Sequence, residues 1–293
     1  MYPASRICGC PLVESFRTLL VKQTSSQIPA APEPVGLEKD RVGERDAART
    51  IAFRRRRAMG AGQAQPGIVW LGGFKSDMLS TKAERIDHWA AARGRSFLRF
   101  DYSGHGESGG RFEDGTIGKW LAESVEMVRR NTEGPQILVG SSMGGWISLL
   151  LARELAKLDE TERLAGMALI APAVDFTEAL LWVRLPPDAK RDIEEKGVWL
   201  RHSEYSPEPT PVTRALIEDG RLHLLLGQTI RTFCPVHILQ GMEDPDVPWR
   251  HALEVVEHMA GDPVALTLIK DGDHRLSREE DILRLLAAIE SIA

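Results

Sequence analysis

The sequence predicts an α/β fold in which a mainly parallel central sheet carries helices on both faces. Short apolar runs that end in turn residues alternate with amphipathic stretches of helical period. Several runs, such as "GIVWL" and the "ILV" of 137–139, are continuously apolar, as strands are when both faces of a sheet are covered. With 293 residues and 43% hydrophobic content, the chain is long enough to bury one large core.

The individual elements follow from these patterns. Strands are predicted at 49–56, 67–73, 96–101, 136–140, 164–172 and 235–241, with a strand and loop at 264–274. Helices are predicted at 80–94, 116–131, 143–158, 249–261 and 277–292. Ser277, with Glu280 three residues later, predicts a capping box for the closing helix.

Three segments differ in organisation. Residues 1–34 form a leader and a Pro-rich linker outside the fold, and residues 35–293 form the domain. Within the domain, residues 173–232 hold several prolines and short helical pieces, which predicts a small lid inserted between two strands. Ligands of open α/β sheets bind beyond the carboxyl ends of strands, so such a lid would cover the site.

The composition of the leader is compatible with two cellular compartments. Its first 32 residues hold one acidic residue, Glu14, against Arg6, Arg17 and Lys22, a composition that resembles an organelle transit peptide. The alternative is a disordered leader or an extended reading frame. Three sparse cysteines indicate a reducing compartment, so we expect a cytoplasmic protein, or a mitochondrial one if the leader is a transit peptide.

Charge and hydropathy exclude two classes of partner. The net charge of −5 provides no basic field for nucleic acid, and no apolar run reaches the length of a membrane span. The one basic block, Arg54–Arg57, is interpreted as the solvent side and end of an edge strand, where charge prevents edge-to-edge pairing.

Two stretches match G-x-S-x-G, the pattern of a nucleophile turn. In "GSSMG" (140–144) a strand leads into Ser142 and a helix leads out, as that turn requires, since it lifts the hydroxyl above the sheet. In "GESGG" (106–110) the serine is Ser108, whose flanks are rich in glycine and lack a helix. Ser142 is therefore the candidate nucleophile, and Ser141 is one residue off the pattern.

A serine hydroxyl needs a base, and in this kind of fold the acid and then the histidine follow the serine. His274 lies in "KDGDHR", a polar loop just past the last strand, and is the candidate base. The other downstream histidines have positions in the lid, in a strand or on a helix: His202, His223, His237, His251 and His258. The acid is expected in "GMEDPDVPW", where position alone leaves Glu243, Asp244 and Asp246 open.

An oxyanion hole needs two main-chain donors. One is expected at the N–H of Met143, directly after the candidate nucleophile. The second is expected in the turn after "GIVWL", at the N–H of Phe74, with Gly73 as the alternative.

Four stretches together resemble the α/β-hydrolase superfamily: "FDYSGHGESGG", "GPQILVGSSMGGW", "GMEDPDVPW" and "DGDHR". More narrowly they resemble its mitochondrial palmitoyl-protein thioesterases and acyl-glucuronide esterases, which have bacterial relatives. The resemblance implies Ser142 as nucleophile and His274 as base. It implies Asp244 as the acid, because G-x-x-D-x-x-V-P begins at Gly241 and places its Asp there, with Asp246 second. Many members carry His-Gly where this chain has Gly72-Gly73.

The function expected is a serine hydrolase that cleaves medium or long acyl esters or thioesters through an acyl-enzyme. It needs no metal or organic cofactor, and its substrate is a small acyl ester or thioester, or an acylated protein. The alternatives are a peptidase or lactonase on the same fold, or a binding protein with an idle triad. The apolar lid residues either line an acyl groove or pack the lid on the core: Leu180, Leu181, Trp182 and Trp199.

Overall fold

The central sheet has eight strands among the residues described by the computed structural model, namely 33–44, 48–203, 206–259 and 261–292. They are β1 (Glu38–Val42), β2 (Arg49–Arg56), β3 (Gly67–Leu71), β4 (Phe97–Phe100), β5 (Gln136–Ser141), β6 (Leu164–Ile170), β9 (Val236–Gly241) and β10 (Val264–Ile269). The order across the sheet is β1-β2-β4-β3-β5-β6-β9-β10. From β4 to β10 the neighbouring strands are parallel, whereas β1 and β2 run antiparallel to their neighbours.

Helices cover both faces of this sheet, as predicted. They are α1 (Thr81–Ala92), α2 (Ile117–Asn131), α3 (Met143–Lys157), α4 (Pro187–Lys196), α5 (Arg214–Gly220), α6 (Trp249–His258) and α7 (Glu279–Ser291). One apolar cluster packs α1 and α7 on one face of the sheet. A larger cluster packs α2, α3 and α6 on the other face, where Trp120 and Trp146 are fully buried. The inner parallel strands β3, β5, β6 and β9 are buried almost throughout, which explains their largely apolar sequences, whereas the outer strand β10 is partly exposed.

The edge of the sheet differs from the prediction. The edge strand beside β2 is β1, which reads "EKDRV" and was missed because it is mostly charged. β1 pairs with residues 49–53 of β2, so β2 is not the edge strand there, whereas Arg54–Arg56 pair only with β4 and lie past the end of β1. Two charges of the arginine run are paired, with Arg56 at 2.7 Å from Asp87 and Arg55 at 3.1 Å from Glu38.

The segment between β6 and β9, residues 171–235, is called the insertion below. It contains a turn of π-helix at Phe176–Leu181, α4, α5 and a two-stranded antiparallel sheet of β7 (Val198–Ser203) and β8 (Ser206–Thr213). The prolines of β8 hid this hairpin from the sequence analysis, since a proline inside a run favours an edge strand or a loop. That the insertion acts as a lid stays a prediction, as do its bounds of 173–232.

The insertion has a small apolar core of its own. That core comprises Leu181, Leu185, Ala189, Ile193, Val212 and Ile217. Trp182 and Trp199 pack against it, so these two side chains and Leu181 stabilise the insertion itself. These contacts lie within the insertion, so both roles left open for the side chains, lining an acyl groove and packing the lid on the central core, stay predictions.

Helix termini agree in part with the sequence. Thr116 caps α2 as an N-cap side chain, accepting a hydrogen bond from the N–H of Lys119. The predicted capping box at Ser277 is wrong, because α7 begins at Glu279 and the Ser277 hydroxyl donates to the carbonyl of Arg275 instead. The acidic first turn of α7, including Glu280, complements the helix dipole without a capping side chain.

Within the described part of the chain, we find no helix with the length and hydropathy needed to cross a bilayer. The predicted leader falls, up to residue 32, outside the described residues.

The close approach of α3 to β3 yields a stability prediction. A Cβ on Gly144 would lie 1.9 Å from the carbonyl oxygen of Leu71, a contact that only backbone displacement relieves. We expect Gly144→Ala to lower the free energy of unfolding by about 3 kcal/mol, measured by urea denaturation. Gly36→Ala is the control, because its Cβ would meet no atom within 4 Å. Equal midpoints for the two variants would contradict this packing.

Candidate active site

Ser142 lies at the corner between β5 and α3. Its backbone has φ 54° and ψ −118°, a conformation that costs about 1–3 kcal/mol for a residue with a side chain. Three hydrogen bonds hold it: its N–H donates to Ile170 at 2.8 Å, and its carbonyl accepts from Gly145 at 2.9 Å and Ala173 at 3.1 Å. The strained corner turns the serine side chain away from the direction of the strand.

Two glycines allow this corner to form. A Cβ on Gly140 would lie 2.4 Å from the carbonyl oxygen of Gly144, and a Cβ on Gly144 would meet the end of β3. The start of α3 therefore packs against β5 and the end of β3 so closely that a residue with a side chain would not fit at either position. This explains why the glycines of G-x-S-x-G flank the serine at these positions.

His274 lies in the loop after β10 and faces the serine. Its Nε2 is 3.2 Å from the Ser142 Oγ, and its Nδ1 is 2.7 Å from Oδ2 of Asp244. Since a carboxylate only accepts, Nδ1 carries the hydrogen and Nε2 presents a lone pair to the serine hydroxyl. The imidazole keeps 18% of its surface exposed, whereas the Asp244 side chain is fully buried.

Asp244 is fixed by four groups, which come from β9, from the loop after β9 and from the histidine. Its Oδ1 accepts the N–H groups of Asp246 and Val247, both at 2.9 Å. Its Oδ2 accepts from Gln240 at 3.3 Å as well as from His274. The carboxylate therefore has one orientation, in which it holds the imidazole.

The other acids of this loop lie elsewhere. The Asp246 carboxylate pairs with Arg201 of the insertion at 3.1 Å. Glu243 is exposed, and its N–H donates to the carbonyl of Gly272 at 2.9 Å. Of the three acids in "MEDPD", the structure places Asp244 against the imidazole.

The predicted oxyanion donors lie on the two segments that meet at the corner. Met143 is the first residue of α3, and the first N–H groups of a helix have no partner within it. The turn after β3 passes close by, since a Cβ on Gly73 would be 3.4 Å from the Cβ of Ser142. Phe74 follows in that turn, and its ring lies 5.4 Å from the ring of Phe176 in the insertion.

Comparison with known proteins adds a second line of support. Residues 68–199 match the family described as serine aminopeptidase, S33. The chain is 37% identical over 228 residues to the mitochondrial palmitoyl-protein thioesterase ABHD10 of Bos taurus, which covers 78% of this chain and 72% of the relative. The chain belongs to the α/β-hydrolase family.

Solved structures agree with this assignment. A putative hydrolase from Agrobacterium vitis is 49% identical with a TM-score of 0.85, over 89% of this chain and 99% of that one. Alpha/beta hydrolase domain-containing protein 10 from mouse is 33% identical with a TM-score of 0.76, over 87% of this chain and 98% of that one. The predicted fold class and resemblance are confirmed, and the chain is a hydrolase.

The mammalian relatives carry a mitochondrial location in their names, which is a statement about those proteins. The predicted cytoplasmic location of this α/β hydrolase finds no support in the comparisons. The residues on which the mitochondrial alternative depends, 1–32, lie outside the described part of the chain.

The rival serine of this hydrolase has structural contacts. The Ser108 hydroxyl donates to the carbonyl of Asp101 at 2.6 Å and accepts the N–H of Ala52 at 2.8 Å. It therefore ties the loop after β4 to β2. Neither contact brings Ser108 to a histidine.

The remaining downstream histidines also have local partners. His237 contacts Thr267 on the adjacent strand at 2.9 Å, and His251 contacts the carbonyl of Val174 at 2.9 Å. Burial lowers the pKa of both imidazoles. His258 contacts the carbonyl of Glu254, His223 lies 3.7 Å from Asp219, and His202 is exposed in the insertion.

Ligand atoms of Asp244, Asp246 and His274 lie within 4.8 Å of one another, a spacing that a metal ion can bridge. Their contacts fit hydrogen bonding better than ligation. Asp244 already accepts amide hydrogens and the imidazole N–H, and Asp246 is paired with Arg201. A cation would have to displace these donors, so the donor set does not suit a resident metal.

Lys82 of α1 supports the histidine loop and was missed by the sequence analysis. Its ammonium donates to the carbonyl of Arg275, the residue after His274, and lies 3.4 Å from the Ser277 hydroxyl. Burial lowers the pKa of Lys82 from 10.5 to about 8, with Asp273 acting in the opposite direction. Because Lys82 is distant in sequence from the loop it holds, no local pattern indicates this contact.

The lowered pKa predicts how stability depends on pH. Between about pH 8 and 10.5 the unfolded chain binds the Lys82 proton while the folded chain has released it, so stability from this residue rises with pH. The unfolding free energy of the wild type minus that of Lys82→Met should therefore increase by up to about 3 kcal/mol from pH 8 to pH 10.5. Urea denaturation at a series of pH values measures it.

The matched control is Lys119→Met, which removes an exposed ammonium that also donates to a carbonyl, that of Asp114. Its stability curve should run parallel to that of the wild type. Parallel curves for Lys82→Met would show that burial does not act on the Lys82 ammonium as described.

Proposed function

We propose that this α/β hydrolase cleaves carboxylic esters and thioesters through an acyl-enzyme on Ser142, with His274 as base and Asp244 as its orienting acid. The observation that carries the proposal is the chain of two hydrogen bonds, 3.2 Å from Ser142 Oγ to His274 Nε2 and 2.7 Å from Nδ1 to Asp244. A serine hydroxyl is a weak nucleophile until a base accepts its proton. This geometry supplies that base in the correct tautomer.

In the first half-reaction the Ser142 Oγ attacks the acyl carbonyl while its proton moves to Nε2 of His274. The carbonyl oxygen becomes an oxyanion, which the N–H groups of Phe74 and Met143 stabilise. When the tetrahedral intermediate collapses, the bond to the alcohol or thiol breaks. His274 returns the proton to the leaving oxygen or sulfur, and Asp244 stabilises the imidazolium in between.

In the second half-reaction a water molecule attacks the acyl-serine carbonyl and gives a proton to His274. A second oxyanion forms on the same two donors. Its collapse releases the carboxylic acid, and His274 returns the proton to Ser142. The cycle consumes one water and uses no metal or organic cofactor.

The substrate class proposed is a medium or long acyl ester or thioester, including an acyl group on a protein. Support comes from relatives named palmitoyl-protein thioesterases. It also comes from the aromatic rings beside the corner, where Phe74 lies 4.9 Å from Phe112 and 5.4 Å from Phe176. Rings of this kind bind acyl chains through apolar contact.

A peptidase on the same fold is the second candidate, because the family match is described as a serine aminopeptidase. The proposed triad cleaves amides by the same steps, so the geometry does not separate the two. A panel of peptide amides against acyl esters separates them by rate. An idle binding protein is disfavoured, since all three proposed residues are within hydrogen-bond reach of their partners.

The proposal predicts the site of covalent labelling and the effect of removing it. A fluorophosphonate should form one adduct on the purified enzyme, located at Ser142 by peptide mass spectrometry. Ser142→Ala should lower kcat for a palmitoyl thioester and a nitrophenyl ester by roughly 10⁴- to 10⁶-fold, because the nucleophile is gone. The Ser108→Ala enzyme is the control and should still be labelled at Ser142.

An adduct on Ser108, or unchanged turnover by Ser142→Ala, would refute the assignment of the nucleophile. Correct labelling combined with turnover of peptides alone would leave the nucleophile in place and refute the ester and thioester substrate class.

A further inference from the structure

His105 is a buried histidine that takes no part in the proposed chemistry. It lies in the loop after β4, within the quoted stretch "FDYSGHGESGG", and only 4% of it is exposed. Aromatic rings enclose it, with centroids at 5.0 Å for Phe112, 5.1 Å for Trp120 and 5.7 Å for Tyr102. A buried imidazole needs partners for both ring nitrogens, and these partners show what it holds.

Both nitrogens contact backbone. The Nδ1 lies 3.3 Å from the carbonyl of Ser103, which only accepts, so Nδ1 carries the hydrogen. The Nε2 then has a lone pair and accepts the N–H of Lys75 at 3.1 Å. Burial lowers the pKa of His105 to about 4, which keeps the ring neutral and Nε2 an acceptor at neutral pH.

Lys75 is the residue after Phe74 in the turn that follows β3. Its φ of 57° lies in the left-handed region, which a residue with a side chain occupies only when its surroundings enforce it. The turn is closed by a bond from the N–H of Ser76 to the carbonyl of Gly73 at 3.1 Å. The imidazole of His105 adds a further hydrogen bond from outside the turn, which it accepts from the N–H of Lys75.

The same aromatic cluster holds the Phe74 side chain. Its ring lies 4.9 Å from Phe112 and 6.0 Å from Trp120, both of which also contact His105. The backbone after Phe74 and the ring of Phe74 are therefore both fixed against one buried group. The amide of Phe74 is constrained from two sides.

We propose that His105 is a positioning residue which, by accepting the Lys75 N–H, aims the Phe74 N–H at the oxyanion of the substrate. The inference rests on the proposed function, since it takes the Phe74 amide as an oxyanion donor. Positioning matters because such a donor stabilises the transition state only when it points at the place where charge develops. Loss of the Lys75 bond should therefore lower kcat and leave KM nearly unchanged.

Two isosteric variants test the hydrogen bond separately from polarity. His105→Gln places an amide oxygen where Nε2 was and keeps the acceptor for Lys75. His105→Asn places its amide nitrogen where Nδ1 was, so it keeps the bond to Ser103 and loses the one to Lys75. We expect kcat for an acyl thioester to fall roughly 10- to 100-fold in His105→Asn and to stay within about threefold in His105→Gln, with KM within about threefold in both.

Tyr102→Leu is the packing control. It removes one ring from the cluster around His105 and leaves both imidazole hydrogen bonds in place. It should lower the thermal midpoint at least as much as His105→Asn, with kcat within about threefold of the wild type. The rate of phosphonylation of Ser142 should fall in His105→Asn in the same proportion as kcat, because the phosphoryl oxygen uses the same donors.

The outcomes separate the two proposals. If Ser142→Ala retains activity, the proposed function fails. If Ser142 is essential and labelled, but His105→Asn turns over as fast as the wild type, or His105→Gln is as slow as His105→Asn, the positioning role is overturned. A rise in KM at constant kcat would also overturn it. A kcat loss in Tyr102→Leu that matches its stability loss would assign the effect to packing alone.

Discussion

The left-handed backbone at Ser142 is the constraint on which the arrangement of the site depends. A serine in this conformation is unfavourable by itself and persists because β6, α3 and the start of the insertion hold it by backbone hydrogen bonds. Gly140 and Gly144 let α3 approach β5 and β3 closely enough for those bonds to form. Without the close approach, the hydroxyl would lie along the sheet and not above it.

The loops that meet Ser142 follow the same principle. Each loop is held by a side chain that takes no part in the proposed chemistry. That side chain forms a hydrogen bond either to the backbone of the loop or to the carboxylate that orients the base. Lys82 holds the carbonyl after His274, Gln240 bonds the Asp244 carboxylate, and His105 accepts the amide after Phe74. The parallel strands bring these loops near one another at the carboxyl ends of the sheet. The three supporting side chains then hold the loops so that the reacting groups lie at hydrogen-bond distances.

The sequence was most informative where a local pattern reflects a local cause. Continuous apolar runs predicted the parallel strands, and G-x-S-x-G between a strand and a helix singled out Ser142, which the structure places beside His274. Position alone did not choose among the acids near Asp244. The resemblance to a family did so, and the structure places that residue against the imidazole.

The remaining features depend on contacts between distant parts of the chain. Strand β1 is charged and forms because β2 offers a free edge, and the hairpin of the insertion contains prolines that an isolated two-stranded sheet tolerates. The bonds of Lys82 join residues far apart in sequence. The motif that contains His105 was visible, but its role depends on a turn about thirty residues earlier that only the fold brings near.

The arrangement around Ser142 can be tested by a crystal structure of the enzyme phosphonylated by a long-chain alkyl fluorophosphonate. We expect a bond from phosphorus to the Ser142 Oγ and a phosphoryl oxygen about 2.7–3.1 Å from the N–H groups of both Phe74 and Met143. The left-handed backbone at Ser142 should persist in the adduct. A phosphoryl oxygen that faces solvent, or a serine relaxed to negative φ with His274 out of reach, would contradict this arrangement.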